Sequence, residues 1–300
     1  MKQLVSSETR GARMLTKQEI KDYLKRLGLE IDTPSKEFLS EMHRAHVEKV
    51  PWNTIDIFAG KPTPIDIKSS VQHIVNQGSG YCFHLNGAFS VLLRSLGYNV
   101  SLHRAGVQPT GKEPRMDSYH LGVSVTMMDA VIHKEQRWIV DVGLGDMPYD
   151  PLPIIVGEYE QGPFRYKIRP SEVAANGWRL ENDPIAPFAG VDFDPEVVGD
   201  VEEFKSQHEF LSKSPDSVWG NLLLIQNRHN KGSNELRGCV FSQRTVDGIQ
   251  KSEITNKFMW FELVADVFGE KLDRYSKLEK DEIWKKVIRI HENWKREQLE

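Results

Sequence analysis

The chain reads GSGYCFHLNGAF from Gly78 to Phe89, and this stretch joins a glycine-rich loop to an apolar segment. From Cys82 onward the apolar residues recur at helical spacing, at Leu85, Phe89, Leu92, Leu93 and Leu96. Gly97 follows as the left-handed residue that commonly ends a helix. The sequence therefore predicts a helix from about Cys82 to Leu96, with Cys82 in its first turn.

A cysteine at this place is a candidate nucleophile. The free backbone N–H groups and the positive end of a helix favour a thiolate over a thiol. The glycines before Cys82 allow another molecule to approach the backbone closely. A buried structural cysteine is the alternative, and it is the more common role of a lone cysteine.

Two further residues suggest a partner set for Cys82. His120 begins the strand-like run Tyr119–Met127, and Asp141 lies near the end of the next run, Arg137–Val142. Adjacent antiparallel strands would bring these side chains together. Thiolate, imidazole and carboxylate are the groups needed for acyl transfer through a thioester. The alternative is a buried histidine with satisfied hydrogen bonds and an aspartate that caps a turn.

The pattern along the chain predicts an α+β fold in three parts. Residues 1–97 read as helical and carry the cysteine, residues 98–205 as antiparallel strands in a sheet or small barrel that carries the histidine and aspartate, and residues 206–300 as mixed strands and helices. Asn182–Asp200, rich in Pro, Asp and Gly, is predicted to be a long surface connection. In the last part we predict strands at Asn221–Gln226 and Arg237–Phe241, with helices at Phe258–Phe268 and Asp281–Trp294.

Composition excludes several classes of protein. With 39 basic and 43 acidic residues the formal net charge is −4, the wrong sign for a protein that binds nucleic acid. No apolar run approaches the length of a membrane span, and Met1–Leu15 lacks the apolar core of a secretory signal. Two cysteines cannot form a disulfide framework. We therefore expect a cytoplasmic protein that does not bind membranes, and the sequence leaves its oligomeric state open.

Several motifs agree in order and spacing with one known family. The chain resembles the arylamine N-acetyltransferases from about residue 15 to residue 270. The resemblance is strongest in three segments, Gly80-Tyr81-Cys82-Phe83-x-x-Asn86, His120-Leu121 and Val140-Asp141-Val142-Gly143-Leu144-Gly145.

The resemblance implies a fold and a reaction. The family fold is an N-terminal helical bundle, a central antiparallel β-barrel and a C-terminal α/β lid, around a cysteine-protease-like Cys-His-Asp core. The implied reaction is a ping-pong acetyl transfer through acetylated Cys82, with His120 and Asp141 as catalytic partners. Acetyl-CoA would be the cosubstrate, without a tightly bound cofactor. The acceptor would be a small arylamine or arylhydrazine, or an N-arylhydroxylamine that is O-acetylated.

The resemblance also implies binding residues. Trp52, Phe83, Val107 and Leu144 would contact the acceptor, whereas Ser118, Gly143, Ser214 and Ser217 would lie near CoA. Ordinary turn hydrogen bonds are an equally good explanation for the serines. We expect no metal site, because His43-x-x-His46 and Cys82-x-His84 each supply only two possible ligands.

Four positions depart from the family pattern. Gly78 replaces an arginine and Asn53 a glutamate, so both partners of a charge pair are missing together. We expect a rearrangement beside an intact triad, since no partner is left unpaired. His84 replaces a glutamate or glutamine, and Leu144 replaces a phenylalanine on which an arylamine ring would stack.

Two other functions remain open at this point. A transglutaminase-like or papain-like enzyme would use the same three residues to cleave an amide and pass the acyl group to water or lysine. A small-molecule or CoA binder on the same fold would have little or no activity. The similarity of residues 200–270 to the acetyltransferase lid favours acetyl transfer.

Overall fold

A computed structural model describes residues 13–117, 120–128 and 133–298. Its helices are α1 (Lys17–Leu27), α2 (Lys36–Lys49), α3 (Ile55–Phe58), α4 (Ile67–Val75), α5 (Cys82–Ser95), α6 (Lys205–Lys213), α7 (Lys257–Asp266) and α8 (Lys277–Glu297), with 3₁₀ turns at Val201–Phe204 and Val218–Asn221. None of the helices in these segments combines the length and the apolarity that crossing a membrane requires.

The N-terminal helices follow the sequence signals closely. Helix α1 begins with a capping box between Thr16 and Glu19 and ends at Gly28, whose φ is +71°. Helix α5 is the central helix of this part, with both faces buried over most of its length against α4 and the strands that follow. The prediction of a helix that starts at Cys82 is confirmed.

The middle of the chain forms a nearly closed antiparallel barrel. Its strands are β2 (Asn99–Pro109), β3 (His120–Met128), β4 (Glu135–Ile139), β5 (Leu152–Pro153), β6 (Gly157–Gln161), β7 (Phe164–Pro170), β8 (Trp178–Glu181) and β9 (Phe188–Val198). Among the described residues their order in the sheet is β5-β4-β3-β2-β9-β8-β7-β6. One hydrophobic core joins the barrel interior to α1, α2, α4 and α5.

The surface connection predicted for Asn182–Asp200 is wrong over most of its length. Strand β9 lies in the middle of the barrel sheet, between β2 and β8. Buried Asp192 is neutralised by Arg179, and Pro195 lies where the pairing with β2 shifts register. Proline is tolerated at such an irregularity because no ladder hydrogen bond is required there. The acidic residue and the proline made this strand resemble a loop in sequence, because neither the ion pair of Asp192 nor the bulge at Pro195 is visible there.

The C-terminal part is a second antiparallel sheet with two helices on one face. The sheet contains β1 (Trp52–Asn53), β10 (Leu224–His229), β11 (Gly232–Arg237), β12 (Val240–Thr245) and β13 (Gly248–Glu253), in the order β1-β10-β11-β12-β13. The predicted strand Arg237–Phe241 is wrong, because Gly238 turns the chain with a φ of +58°. Helices α7 and α8 enclose a second core around Trp260.

Strand β1 joins the beginning of the chain to this C-terminal sheet. Trp52 and Asn53 pair with Gln226 and Ile225 of β10, and Trp52 also bridges to Gly80 in the loop before Cys82. A short strand therefore links the C-terminal sheet to the segment that carries the candidate nucleophile. The fold is α+β, with a helical bundle, a central barrel and a C-terminal α/β lid.

Candidate active site

Cys82 is the first residue of α5 and is almost enclosed, with 7% of its surface exposed. Tyr81 is extended and caps the helix without a side-chain hydrogen bond, so its side chain leaves the first N–H groups of α5 uncapped. The preceding loop is fixed by the Asn53 N–H, which donates to the Gly80 carbonyl at 2.8 Å. The backbone thus holds the sulfur at the positive end of a buried helix.

His120 and Asp141 form a direct pair beside Cys82. His120 is the first residue of β3, and its Nε2 donates to Oδ2 of Asp141 at 2.6 Å. Cys82 lies close enough to the ring for its thiol to contribute to the raised pKa of His120. The structure therefore brings together all three residues that the sequence proposed.

The predicted strand that contained Asp141 is wrong at its end. Strand β4 stops at Ile139, and Asp141 lies in the loop that follows. The Val140 N–H still donates to the Val123 carbonyl of β3 at 2.9 Å, so the loop stays beside β3. This connection keeps the carboxylate within reach of His120 although the ladder has ended.

The surroundings favour a charged imidazole. Burial by itself lowers the pKa of His120, but the Asp141 charge, the Asp141 hydrogen bond and the Cys82 contacts outweigh it and raise the pKa to about 10. His120 is 3% exposed and Asp141 is 1% exposed, so solvent screens these interactions weakly. An imidazolium next to the thiol at neutral pH stabilises the thiolate, the reactive form of cysteine.

Asn86 holds the carboxylate in place. Its Nδ2 donates to Oδ1 of Asp141 at 2.7 Å and to the Leu121 carbonyl at 2.5 Å, and its Oδ1 accepts the Val142 N–H at 2.9 Å. In the sequence, Asn86 stands out only as part of a motif. A buried amide one helical turn after Cys82 was the signal for this role, because residues at this spacing share a helix face.

Gly143 allows the loop after β4 to approach the helix. A Cβ at this position would lie 2.8 Å from Cα of Cys82 and 2.7 Å from Nδ2 of Asn86. The Gly143 N–H also donates to Oδ1 of Asp141 at 2.9 Å. The position therefore requires glycine for packing, and the CoA contact implied by the family stays a prediction.

The four residues predicted to contact the acceptor are spread around the site. Trp52 is buried with its ring 5.2 Å from that of Trp219, and Phe83 packs between Tyr81 and Phe204. Leu144 is buried in the main core, whereas Val107 is partly buried against it. Their role in binding stays a prediction.

A cavity of about 160 Å³ opens beside His120. Its other described lining residues are Arg104, Ala105, Met116, Glu203, Phe204, Ser206 and Gln207. Arg104 and Glu203 form an ion pair at its edge. This lining could not be predicted from the sequence, since four of its residues come from the 3₁₀ turn before α6 and from the first turn of α6, where no motif occurs.

The predicted CoA-binding serines make local hydrogen bonds. Ser214 Oγ accepts the Asp216 N–H at 3.2 Å, and Ser217 Oγ donates to the Leu211 carbonyl at 2.7 Å. The Ser214 contact is that of an ordinary turn, whereas the Ser217 contact ties the following segment to the end of α6, and the role of both serines in CoA binding stays a prediction. Ser118 lies outside the described residues, so its predicted role stays untested.

The histidines near the site have structural partners. His84 Nε2 lies 2.9 Å from the Thr63 carbonyl, and burial lowers the pKa of His84 to about 4. His43 Nδ1 donates to the Tyr149 carbonyl at 3.1 Å, while His46 Nε2 lies 3.0 Å from the Tyr23 hydroxyl. Within the described segments, no group of three or more His, Cys, Asp or Glu side chains is arranged to hold a metal ion.

Comparison with known proteins points to one family. A profile of the N-acetyltransferase family matches residues 36–276. The pineal gland isozyme of arylamine N-acetyltransferase from Gallus gallus is 29% identical over 228 residues, which cover 67% of this chain and 74% of the relative. Arylamine N-acetyltransferase 1 of Mus musculus is 22% identical over 285 residues, covering 85% and 95% of the two chains.

Solved structures have the same fold. The arylamine N-acetyltransferase of Mycobacterium abscessus superposes with a TM-score of 0.78 at 20% identity, covering 90% of this chain and 94% of the other. The Mycobacterium marinum enzyme in complex with CoA gives a TM-score of 0.77 at 20% identity, covering 90% and 99%. The chain belongs to the arylamine N-acetyltransferase family, whose enzymes are acyltransferases.

Proposed function

We propose that this member of the family transfers an acetyl group from acetyl-CoA to a small arylamine, arylhydrazine or N-arylhydroxylamine through acetylated Cys82. The observation that carries the proposal is the buried Cys82–His120–Asp141 set, in which His120 Nε2 lies 2.6 Å from Oδ2 of Asp141 and Cys82 contributes to the raised pKa of His120. The CoA complex of the Mycobacterium marinum relative supports the choice of donor.

The first half-reaction starts from the Cys82 thiolate and the His120 imidazolium. The Cys82 thiolate attacks the thioester carbonyl carbon of acetyl-CoA, and a new carbon–sulfur bond forms to Cys82. The bond between the acetyl carbon and the CoA sulfur then breaks. His120 gives its proton to the departing CoA thiolate and is left neutral.

The second half-reaction reverses these roles. The acceptor nitrogen, or the oxygen of a hydroxylamine, attacks the acetyl carbon on Cys82, and neutral His120 takes the proton that the nucleophile loses. The Cys82 sulfur leaves as a thiolate, which restores the starting ion pair. Asp141 stabilises the imidazolium of the free enzyme and fixes the ring orientation throughout the cycle.

Enclosure of the site favours transfer over hydrolysis. Cys82, His120 and Asp141 are all buried, and the small cavity beside His120 has room for a compact acceptor. Exclusion of water protects a thioester intermediate from hydrolysis. A papain-like amidase would instead need an open groove for a peptide. The cavity lined by Phe204, Ser206 and Gln207 is therefore our candidate for the acceptor path.

We also propose that the enzyme is cytoplasmic. Cys82 and Cys239 are both free, and the mechanism requires a reduced Cys82. Free thiols persist in reducing compartments and are oxidised more readily outside them.

Rapid-mixing measurements of CoA release test the mechanism. With acetyl-CoA alone, we expect a burst of one CoA per active site followed by little further release. Adding aniline or phenylhydrazine should start steady turnover with parallel double-reciprocal plots, the behaviour of a ping-pong enzyme. Cys82→Ala should lose the burst, while Cys239→Ala, a matched control, should keep it. Continuous CoA release without an acceptor would identify a hydrolase and contradict the proposal.

A further inference from the structure

A buried carboxylate from the C-terminal part of the chain reaches the loop before Cys82. Glu270 follows α7 and is 2% exposed. Its Oε2 accepts the Ser79 hydroxyl at 3.2 Å and lies 3.5 Å from Nδ2 of Asn53. Asn53 also donates to Ser79 Oγ. Three residues from distant parts of the sequence therefore meet at the loop that leads into α5.

Arg274 fixes this carboxylate. Its Nη1 donates to Oε1 of Glu270 at 2.6 Å, and its Nε and Nη2 donate to Oδ1 of Asp56 at 2.9 and 2.8 Å. One guanidinium thus bridges two largely buried acids. Such bridging keeps both carboxylates paired and restricts their orientation.

Asp56 anchors the other end of the bridge. The Tyr275 hydroxyl donates to its Oδ1 at 2.6 Å, Thr63 Oγ1 donates to its Oδ2 at 2.8 Å, and His73 Nε2 lies 3.1 Å from the same oxygen. Burial alone would raise the pKa of Asp56, but these partners and Arg274 hold the pKa well below its usual range. Asp56 is therefore ionised and keeps Arg274 in place.

The cluster of Asp56, His73, Glu270 and Arg274 explains two of the departures from the family pattern, at Gly78 and Asn53. A Cβ at Gly78 would lie 2.5 Å from Cε1 of His73, so the ring occupies the space where the usual arginine would begin. At position 53 the usual glutamate would place a second buried carboxylate beside Glu270, whereas asparagine can donate to it. The family pattern has a charge pair at positions 53 and 78, and in this chain Glu270 and Arg274 form a charge pair instead.

We propose that Glu270, fixed by Arg274, is a positioning residue that holds the Ser79 loop and thereby sets the placement of Cys82 against His120. The inference rests on the proposed role of Cys82 as the nucleophile. Ser79 lies three residues before Cys82, and the Gly80 carbonyl between them accepts the Asn53 N–H at 2.8 Å. The segment after α7 thereby acts on the reactive thiol without touching substrate.

The test is a double-mutant cycle read out by alkylation of Cys82. Iodoacetamide reacts with the thiolate, so its rate against pH reports the placement of Cys82 against His120 without any need for acetyl transfer. Glu270→Gln is close in shape and removes the charge, and Ser79→Ala removes the hydroxyl. We expect each to slow alkylation at pH 7 about tenfold and to shift the profile towards higher pH, the magnitude of a lost charge-assisted hydrogen bond. The double variant should be no slower than the slower single variant.

Glu279→Gln is the matched control. Glu279 belongs to the capping box of α8, so its loss should lower stability and leave the alkylation profile unchanged. Wild-type alkylation in folded Glu270→Gln, or strictly additive effects in the double variant, would overturn the proposal. If Glu270→Gln does not fold, Ser79→Ala decides alone, since it removes the same contact. Failure of the proposed function would appear differently, as normal alkylation of wild-type Cys82 without acetylation.

Discussion

The side-chain amide of Asn86 lies 2.7 Å from Oδ1 of Asp141, opposite the oxygen that binds His120. Asn86 follows Cys82 by one turn of α5. Helix α5 therefore carries the nucleophile and, through Asn86, also orients Asp141. Asp141 in turn orients the imidazole of His120. Any shift of α5 moves the two ends of the triad together, which keeps their relative geometry.

Replacing Asn86 with alanine should lower both the stability of the enzyme and the activity of its folded form. The change leaves the Leu121 carbonyl and the Val142 N–H without their partner and frees Asp141 to turn. We expect a loss of about 2–3 kcal/mol in the free energy of unfolding, since buried polar groups are left unsatisfied. The value of kcat/KM for acetyl-CoA should fall at least about tenfold in the folded enzyme, because a displaced Asp141 no longer fixes His120.

Ser90→Ala is the control for Asn86→Ala. Ser90 is equally buried on α5, and its hydroxyl donates to the Gly87 carbonyl at 2.8 Å, away from the triad. This variant should lose stability and keep kcat/KM. Equal losses of activity per folded molecule in the two variants would show that Asn86 has no special role.

The interaction between His120 and Asp141 should make the free energy of unfolding fall as the pH rises. The folded pKa of His120 is raised to about 10, above the value of about 6.5 for an unperturbed histidine. The folded state therefore holds this proton more tightly, and the resulting stability is complete below about pH 6.5 and is lost as the pH rises towards 10. Asp141→Asn removes the charge that raises this pKa, so most of that dependence should disappear.

Urea unfolding at pH 6.5, 8 and 9.5 tests this expectation. The difference in the free energy of unfolding between wild type and Asp141→Asn should be largest at pH 6.5 and shrink at each step. A difference that stays constant over this range would mean that His120 is not charged in the folded enzyme.

Gly143→Ala probes the close contact between the loop after β4 and α5. The new methyl group would meet Cα of Cys82 at 2.8 Å, and this backbone atom cannot move without displacing the helix start. We expect a loss of about 1–3 kcal/mol in the free energy of unfolding from overpacking. Acetylation of Cys82 should slow as well.

Gly220→Ala is the matched substitution in open space, since a Cβ there would meet no atom within 4 Å among the described residues. We expect near wild-type stability and activity from it. If Gly143→Ala behaved like Gly220→Ala in both measurements, the close contact with Cys82 would matter for neither stability nor activity.

The sequence predicted the elements whose signals are local. Helix α1 has its capping box and terminal glycine, and α5 has an apolar period that begins at Cys82. The Cys82, His120 and Asp141 set could be proposed because each residue lies at the beginning or near the end of a recognisable element. Their ordered motifs then identified the family.

Features that depend on distant partners could not be predicted. Strand β9 reads as a loop until Arg179 is known to neutralise Asp192. Glu270 and Ser79 are separated by 191 positions, so no periodicity or spacing connects them. The cavity beside His120 likewise forms only when the 3₁₀ turn before α6 and the first turn of α6 pack against the barrel.

Acetylation of Cys82 is the central claim, and intact-protein mass spectrometry tests it most directly. Mixing the enzyme with acetyl-CoA in the absence of an acceptor should add about 42 Da, the mass gained when an acetyl group replaces the thiol proton. Peptide mapping should place the gain on the peptide that contains Cys82, and the peptide with Cys239 should remain unmodified. No gain in mass, while Cys82 still reacts rapidly with iodoacetamide, would contradict the account.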